Sequence, residues 1–451
     1  MSHHETDILV IGAGIVGIAT AYYLKQLAPY QLVTLIDQGS PMAFTSAQSG
    51  ENYRNWWPHP TMKDFTNHSI DLMEKIAIES GDQINMSRRG YLLATRKDTI
   101  DNLIEELRLG YGTEAGSLLR FHTNEQNYRF PELETWQGSP NGVDVLQGHE
   151  LIESLFPNLD KNIRHIIHIR RAGTISSQQL GQFMLDRFRA AGGARLTGSI
   201  TAIDHSGSFS VSLNGTGANI KANQIVNAAG PFANNISKML DITLPVKNIL
   251  HQKIAFPDQL GTIPRKMPFA IDLDSQQIDW SAEERELLKE DSGLAWLADE
   301  MPGSIHCRPE GGDNGNWVKL GWAFNHVPSE PTFEPHFNEH FPEIVLRGAA
   351  RLQPALKAYY GRLPRSMSLY GGYYTMTEEN WPLIGPTQTE GFYINCAMSG
   401  FGTMAACASG ELCAQWLLGI EKPTYAKDLS MVRYNNTPLM EDLNSQNTGV
   451  L

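Results

Sequence analysis

A short segment near the start of the chain constrains the fold more than any other part of its 451 residues. Asp7 to Ile11 is an apolar, β-branched run. Gly12-Ala-Gly14-Ile-Val-Gly17 follows, then apolar residues at helical spacing from Ile15 to Leu27, with Pro29 marking the exit. Leu32 to Ile36 is a second β-branched run. Together these predict one βαβ unit of about the minimum length. Gly12 permits a tight turn, Gly14 lets a pyrophosphate approach the backbone, and Gly17 lets helix and strand pack closely. The helix start aims free N–H groups and partial positive charge at the phosphates. Asp37 closes the second strand, where a carboxylate accepts from ribose hydroxyls. A dinucleotide is therefore expected at Gly12, Gly14, Ile15, Val16, Gly17, Asp37 and Gln38. These residues alone do not separate FAD from NAD.

The length implies two domains, which this reading takes as interleaved. Formal net charge is −13, which argues against nucleic acid or an anionic membrane as the main partner. Cys307, Cys396, Cys407 and Cys413 form no CxxC pair and no zinc spacing. They are expected to be small buried residues in a reduced, cytoplasmic protein with no metal site. The N-terminus has no signal-peptide pattern, and the run from Ile8 to Ala21, broken by glycines, is too short to span a bilayer. His3 and His4 are expected on a flexible terminus.

Further along, Gly90 to Thr95 reads as a strand. Ser176 is placed to cap a helix carrying Leu180, Phe183, Met184 and Phe188 on one face, stopped by Gly192-Gly193. Ser208 to Leu213 alternates as a strand, and Lys221 to Gly230 is another, running into a small-residue turn. From Leu244 to about Arg365 aromatic residues, prolines and strand patterns suggest an antiparallel sheet. Ser281 to Lys289 is a charged helical stretch, read as a solvated insertion. Phe392 to Cys396 returns to a strand, and the polar tail from residue 436 is expected to be loose.

Four further segments narrow the cofactor. They are Thr45-Ser46-Ala-Gln-Ser49-Gly50; Asn227-Ala-Ala229-Gly230-Pro; Tyr373-Tyr374-Thr375 with Pro382-Leu-Ile-Gly385; and Ser399-Gly400-Phe401-Gly402 with Ser409-Gly410-Glu411. With the first glycine motif, and in this order, they resemble the D-amino-acid oxidase superfamily of FAD enzymes, especially its sarcosine oxidase, dimethylglycine dehydrogenase and glycine oxidase branches. The resemblance spans nearly the whole chain. It implies an α/β protein with a Rossmann-type FAD-binding domain and a second, mainly antiparallel β-sheet substrate domain. The expected division is 1–85, 150–240 and 368–435 for FAD, and 86–149 and 241–367 for substrate. Thr45, Ser46, Ser49, Gly50, Ala229, Gly230, Gly400, Phe401, Gly402, Thr403 and Met404 join the expected cofactor contacts. Small residues let a flat ligand lie against the backbone, and a glycine-opened helix turns its N–H groups toward the flavin.

The resemblance also implies a reaction: hydride transfer from the carbon next to an amine nitrogen to flavin N5, giving an imine, with O2 reoxidising the flavin. Trp317 to Trp322 alternates as a strand that puts Lys319 opposite Val318, Leu320 and Trp322. Its Lys-Leu-Gly segment matches the lysine by which sarcosine oxidases activate oxygen, where a fixed cation stabilises developing negative charge. Arg54 is the expected anchor for a substrate carboxylate. His251 and Tyr374 are further site candidates, with Tyr53, Trp56, Trp57 and Tyr373 available for an aromatic wall.

There are departures from the family pattern. The cysteine that holds flavin covalently in sarcosine oxidases falls at Gly372, so FAD is expected to be non-covalent. A lysine and a histidine of those enzymes fall at Met404 and Phe401, and an arginine of glycine oxidase falls at Tyr374. The expected partner is thus a small amine or amino acid whose identity is left open. Alternatives are a dehydrogenase serving a protein or quinone acceptor, a flavin-bound scaffold without turnover, and an NAD enzyme using the first motif alone.

Overall fold

The computed structural model describes residues 3–131, 135–215, 219–445 and 449. Two large sheets divide the chain. The first is built on five parallel strands in the order Phe392–Cys396, Asn219–Asn227, β1 (His3–Ile11), β2 (Val33–Asp37) and Ala194–Thr197. Helix α1 (Ile15–Leu27) joins β1 to β2; its bounds are those expected, β2 is shifted by one residue, and β1 begins four residues before Asp7. After β2 the chain moves outward to Ala194–Thr197, then returns to the other side of β1 through Asn219–Asn227. The carboxyl ends of β1 and Asn219–Asn227 therefore flank a topological switch point, where open α/β sheets leave a ligand crevice.

α1 is buried on nearly every side, because Gly402–Leu418 and Ser177–Ala190 both pack on it. A helix hydrophobic all round is a core helix. Gly410 permits the first contact; a Cβ there would lie 2.6 Å from the Ala19 carbonyl carbon. The helix Ser177–Ala190 begins as expected, with Ser176 Oγ accepting from the Gln179 amide at 3.3 Å. The charged stretch forms Ala282–Glu290, opened by a capping box between Ser281 and Glu284.

The second sheet has nine strands in the order Ser368–Met376, Lys247–Pro257, Trp317–Gly321, Ile305–Glu310, Phe269–Asp272, Tyr91–Thr95, His165–Ile169, Val143–Gln147 and Leu119–His122. It is mainly antiparallel, as expected. Two of its strands move the predicted boundaries. His165–Ile169 and Ser368–Met376 lie in segments expected in the FAD unit, yet both pair within this sheet. Hydrogen bonding to distant neighbours, invisible in local pattern, decides their place. One face carries Ile254, Phe256, Cys307, Val318 and Leu320 in a core with the helix Phe341–Leu352.

His4 and residues 437–445 are more ordered than expected. His4 lies in β1, where strand pairing holds it and its Nε2 meets Thr34 Oγ1 at 2.9 Å. Thr437–Ser445 is a helix with Leu443 buried, because the apolar positions in the polar tail find the first core. The four cysteines are buried and unpaired. Among the described residues no helix is long and apolar enough to cross a membrane, and no His, Cys, Asp or Glu group is arranged to hold a metal.

Candidate active site

The switch point opens into a cleft of about 680 Å³, lined by Gly12 to Gly14, Ile36 to Ser40, Met42 to Ser46 and Ala228 to Phe232 among others. Glycine is required here for steric reasons. Gly12 has φ +105°, and a Cβ on it would lie 2.4 Å from the Ala228 carbonyl oxygen. A Cβ on Gly17 would lie 1.9 Å from the Gly12 carbonyl oxygen, so the helix reaches the turn only without one. Asp37 divides its carboxylate between the Ala13 amide at 2.7 Å and the Gly39 amide at 2.8 Å, which holds it on the cleft wall beside Gln38. Ser46 Oγ accepts the Ile15 amide at 3.0 Å and so occupies one free donor of the α1 N-terminus.

A narrower slot of about 120 Å³ shares Gly14, Thr45, Ser46, Ala228, Gly230 and Pro231 with this cleft. It continues past Ile15, Val16, Ser49 and Gly50 to Gly372, Tyr374, Gly400, Gly402 and Thr403. Ser49 Oγ and Thr403 Oγ1 are 2.8 Å apart, tying the loop after β2 to the start of the helix Gly402–Leu418. Ala397 and Ser399, at φ +61° and +44°, line the slot. Strain of this kind in non-glycine residues collects at ligand sites. The Thr45 hydroxyl is buried with no hydrogen-bond partner among the described residues. A pyrophosphate-sized cleft continuous with a flat slot fits FAD: the glycines clear its approach, and Thr45, Ser46 and Asp37 supply polar contacts.

Phe401 and Met404 do not line the slot. Phe401 packs edge-on against Trp57, and Met404 Sδ accepts the Arg54 amide at 3.4 Å. Arg54, 5% exposed, lies over Trp57 and donates from Nη2 to the Gly449 carbonyl at 2.6 Å. Its Nη1 has no acceptor among the described residues. Burial pulls the guanidinium down to about 10, so it stays charged near neutrality.

The slot is roofed by the second face of the nine-stranded sheet. Strand register puts Ala255, Lys319 and Arg308 in one row, with Lys253, Gly321 and His306 in the next. Lys319 faces away from Val318, Leu320 and Trp322 as expected, yet it is only 9% exposed because this face is covered too. Its Nζ lies 2.9 Å from Glu310 and 4.0 Å from Glu51. Burial first, then the Arg308 charge, pulls its ammonium down to about 8. His251 stacks obliquely on Tyr374 at 4.3 Å, and burial plus the Lys253 charge pushes it down to about 3, so it is a neutral imidazole. The Tyr374 phenol is pushed up to about 12 by burial. Lys253, Glu51, Arg308 and Glu310 were not expected from the sequence. The signal was present: His251, Lys253 and Ala255 alternate with Ile254 and Phe256, which assigns them to the face opposite the core.

A cleft and slot at the end of a parallel sheet, beneath a charged face of a mainly antiparallel one, define a flavoprotein oxidoreductase of the Rossmann type. More particularly, residues 7–416 match the model of the FAD dependent oxidoreductase family (DAO), and the chain belongs to that family. It is 22% identical to human mitochondrial dimethylglycine dehydrogenase over 438 residues, which is 95% of this chain and 44% of that protein. The chain thus spans less than half the length of the curated relatives it matches. Among solved structures, L-proline dehydrogenase from P. horikoshii superposes with TM-score 0.71 at 19% identity, covering 97% of this chain and 99% of that one. Glycine oxidase from Geobacillus kaustophilus gives 0.70 at 15% identity, covering 95% and 99%. Iminodiacetate oxidase from a Chelativorans species gives 0.66 at 18%, covering 94% and 98%. These likenesses establish the fold.

Proposed function

We propose that the chain oxidises the C–N bond of a small amine or amino acid to an imine, using non-covalently bound FAD and O2. When bound, FAD supplies the hydride acceptor. The observation that carries the substrate class is Arg54: a buried guanidinium over Trp57 whose Nη1 has no acceptor among the described residues, which suits a carboxylate on the substrate. Tyr374 and Thr375 wall the slot, and the neutral His251 orients the Tyr374 ring. The sheet roof excludes water, so the Lys319 charge acts in a medium of low dielectric.

Non-covalent attachment is supported by the residues that line the slot. Gly372 carries no nucleophile. Cys396 lines the slot, but burial pushes its thiol up to about 12, leaving no thiolate. The names of two similar proteins, L-proline dehydrogenase and dimethylglycine dehydrogenase, favour a second reading in which electrons pass to a protein or quinone.

Purified protein should be yellow and should release free FAD on acid precipitation. Anaerobic addition of an amine and amino-acid panel should bleach it with one substrate class. Rapid recolouring in air supports the oxidase, and persistent bleaching supports the second reading. A colourless protein that takes up no FAD refutes both.

A further inference from the structure

The charges on the slot's roof do not balance. Arg308 and Lys319 share Glu310, at 2.7 and 2.9 Å, and Glu51 stands 4.0 Å from Lys319. Lys253 is in a different position. It is 5% exposed and lines the slot, yet no carboxylate stands within ion-pair distance of it among the described residues. Its polar contact is the Gln48 carbonyl at 3.5 Å, the outer limit of a hydrogen bond, with the Tyr374 ring centroid 5.6 Å away. Arg54 likewise has no ion-pair partner, and its Nη1 no acceptor, among the described residues. Among the described residues, Lys253 is thus the cation of the slot lining that no carboxylate neutralises. Burying an unpaired charge is costly, so a buried cation without a partner marks a place where an anion enters. Phosphates of a bound dinucleotide would instead meet the α1 N-terminus.

We propose that Lys253 is a specificity-determining residue that binds a second carboxylate of the substrate, the first going to Arg54, so that the pocket selects an amine carrying two acidic groups. This rests on the amine-oxidising reading above and refines it. Burial pulls the Lys253 ammonium down to about 8, so it carries its charge at neutral pH. The alternating pattern of its strand leaves it no exit to solvent, because Ile254 and Phe256 fix the opposite face in the core.

The test uses the flavin-loaded enzyme and ligands that cannot be oxidised. Malonate, succinate and glutarate are titrated against acetate, following the perturbed flavin absorbance. The best diacid should bind at least about 100-fold tighter than acetate, the worth of one further charge-assisted contact. Lys253→Met should reduce that preference to within about fivefold by weakening the diacid alone, and Lys253→Arg should retain most of it. A wild-type preference of only a few fold overturns the proposal, whether or not the variants fold. So does a preference unchanged in Lys253→Met alongside a shifted flavin potential, which would mean that Lys253 acts on the flavin. In parallel, N-carboxymethylglycine, aspartate and glutamate are compared with N-methylglycine for anaerobic bleaching. Equal bleaching by the monocarboxylic amine, with diacids and acetate bound alike, overturns the two-anion pocket and leaves the amine reading standing. A flavin that no amine bleaches overturns the reading and the pocket with it.

Discussion

Lys319 Nζ lies 2.9 Å from a Glu310 carboxylate oxygen, on adjacent strands of the sheet that roofs the slot. Lys319 is buried and Glu310 half-buried, so the carboxylate sustains the lysine charge against desolvation. Lys319→Met should slow reoxidation of the reduced enzyme by O2 about 100-fold and change its anaerobic reduction by less than about threefold. Stopped-flow measurement of both half-reactions checks this, and equal slowing of the two would falsify the oxygen role. A lysine is charged below its pKa, so reoxidation should fall as pH rises through about 8. Glu310→Gln removes a partner that favours the charged form, and the midpoint should move to lower pH.

Arg54 is held by Trp57, Met404 and Gly449, and its Nη1 has no acceptor among the described residues. Arg54→Met should raise KM for an amino-acid substrate about 10- to 100-fold, the worth of a hydrogen bond to a charged group. FAD content should stay unchanged, because the arginine lies outside the cleft and slot linings. Steady-state kinetics with flavin quantitation separates the two effects.

The glycine turn admits no side chain. Gly17→Ala forces a Cβ to within 1.9 Å of the Gly12 carbonyl oxygen, so α1 must move away from the turn. The expected loss is about 1–3 kcal/mol of stability by denaturant titration, with no retained FAD. Asp37→Asn keeps the shape but weakens the bonds to the Ala13 and Gly39 amides. Its apo form should take up FAD about tenfold more weakly, measured by quenching of flavin fluorescence.

Arg433 is fully buried against Glu379, with Nε 2.6 Å from the carboxylate and Nη1 2.7 Å from the Pro382 carbonyl. Removing one partner leaves the other charge buried and unpaired. Arg433→Met should lose about 3–5 kcal/mol in chemical denaturation. Replacing both residues by apolar ones of similar volume should recover much of it.

The βαβ unit was legible because its signals are local: Gly12, Gly14 and Gly17 at fixed spacing, an apolar run before them and a helical period after. The same holds for the Ser176 cap and for the strand Phe392–Cys396. The domain limits were not legible. His165–Ile169 reads as a buried strand wherever it goes, and only its pairing with Tyr91–Thr95 and Val143–Gln147 places it in the second sheet. His4 and the helix Thr437–Ser445 were read as loose for the same reason, since each is held by partners far away in sequence.

The amino-acid sequence alone determined the cofactor fold, because the nucleotide turn depends on which residues lack a Cβ and on how they follow one another. It also determined which face of Trp317–Gly321 Lys319 occupies, because side chains alternate along a strand. Only the tertiary structure decided that this face is buried, and that Lys319 is paired while Lys253 is not. Those properties depend on which strands become neighbours and on what covers them. An ammonium shifted by burial is set by its surroundings in three dimensions, and no local pattern in the chain encodes them.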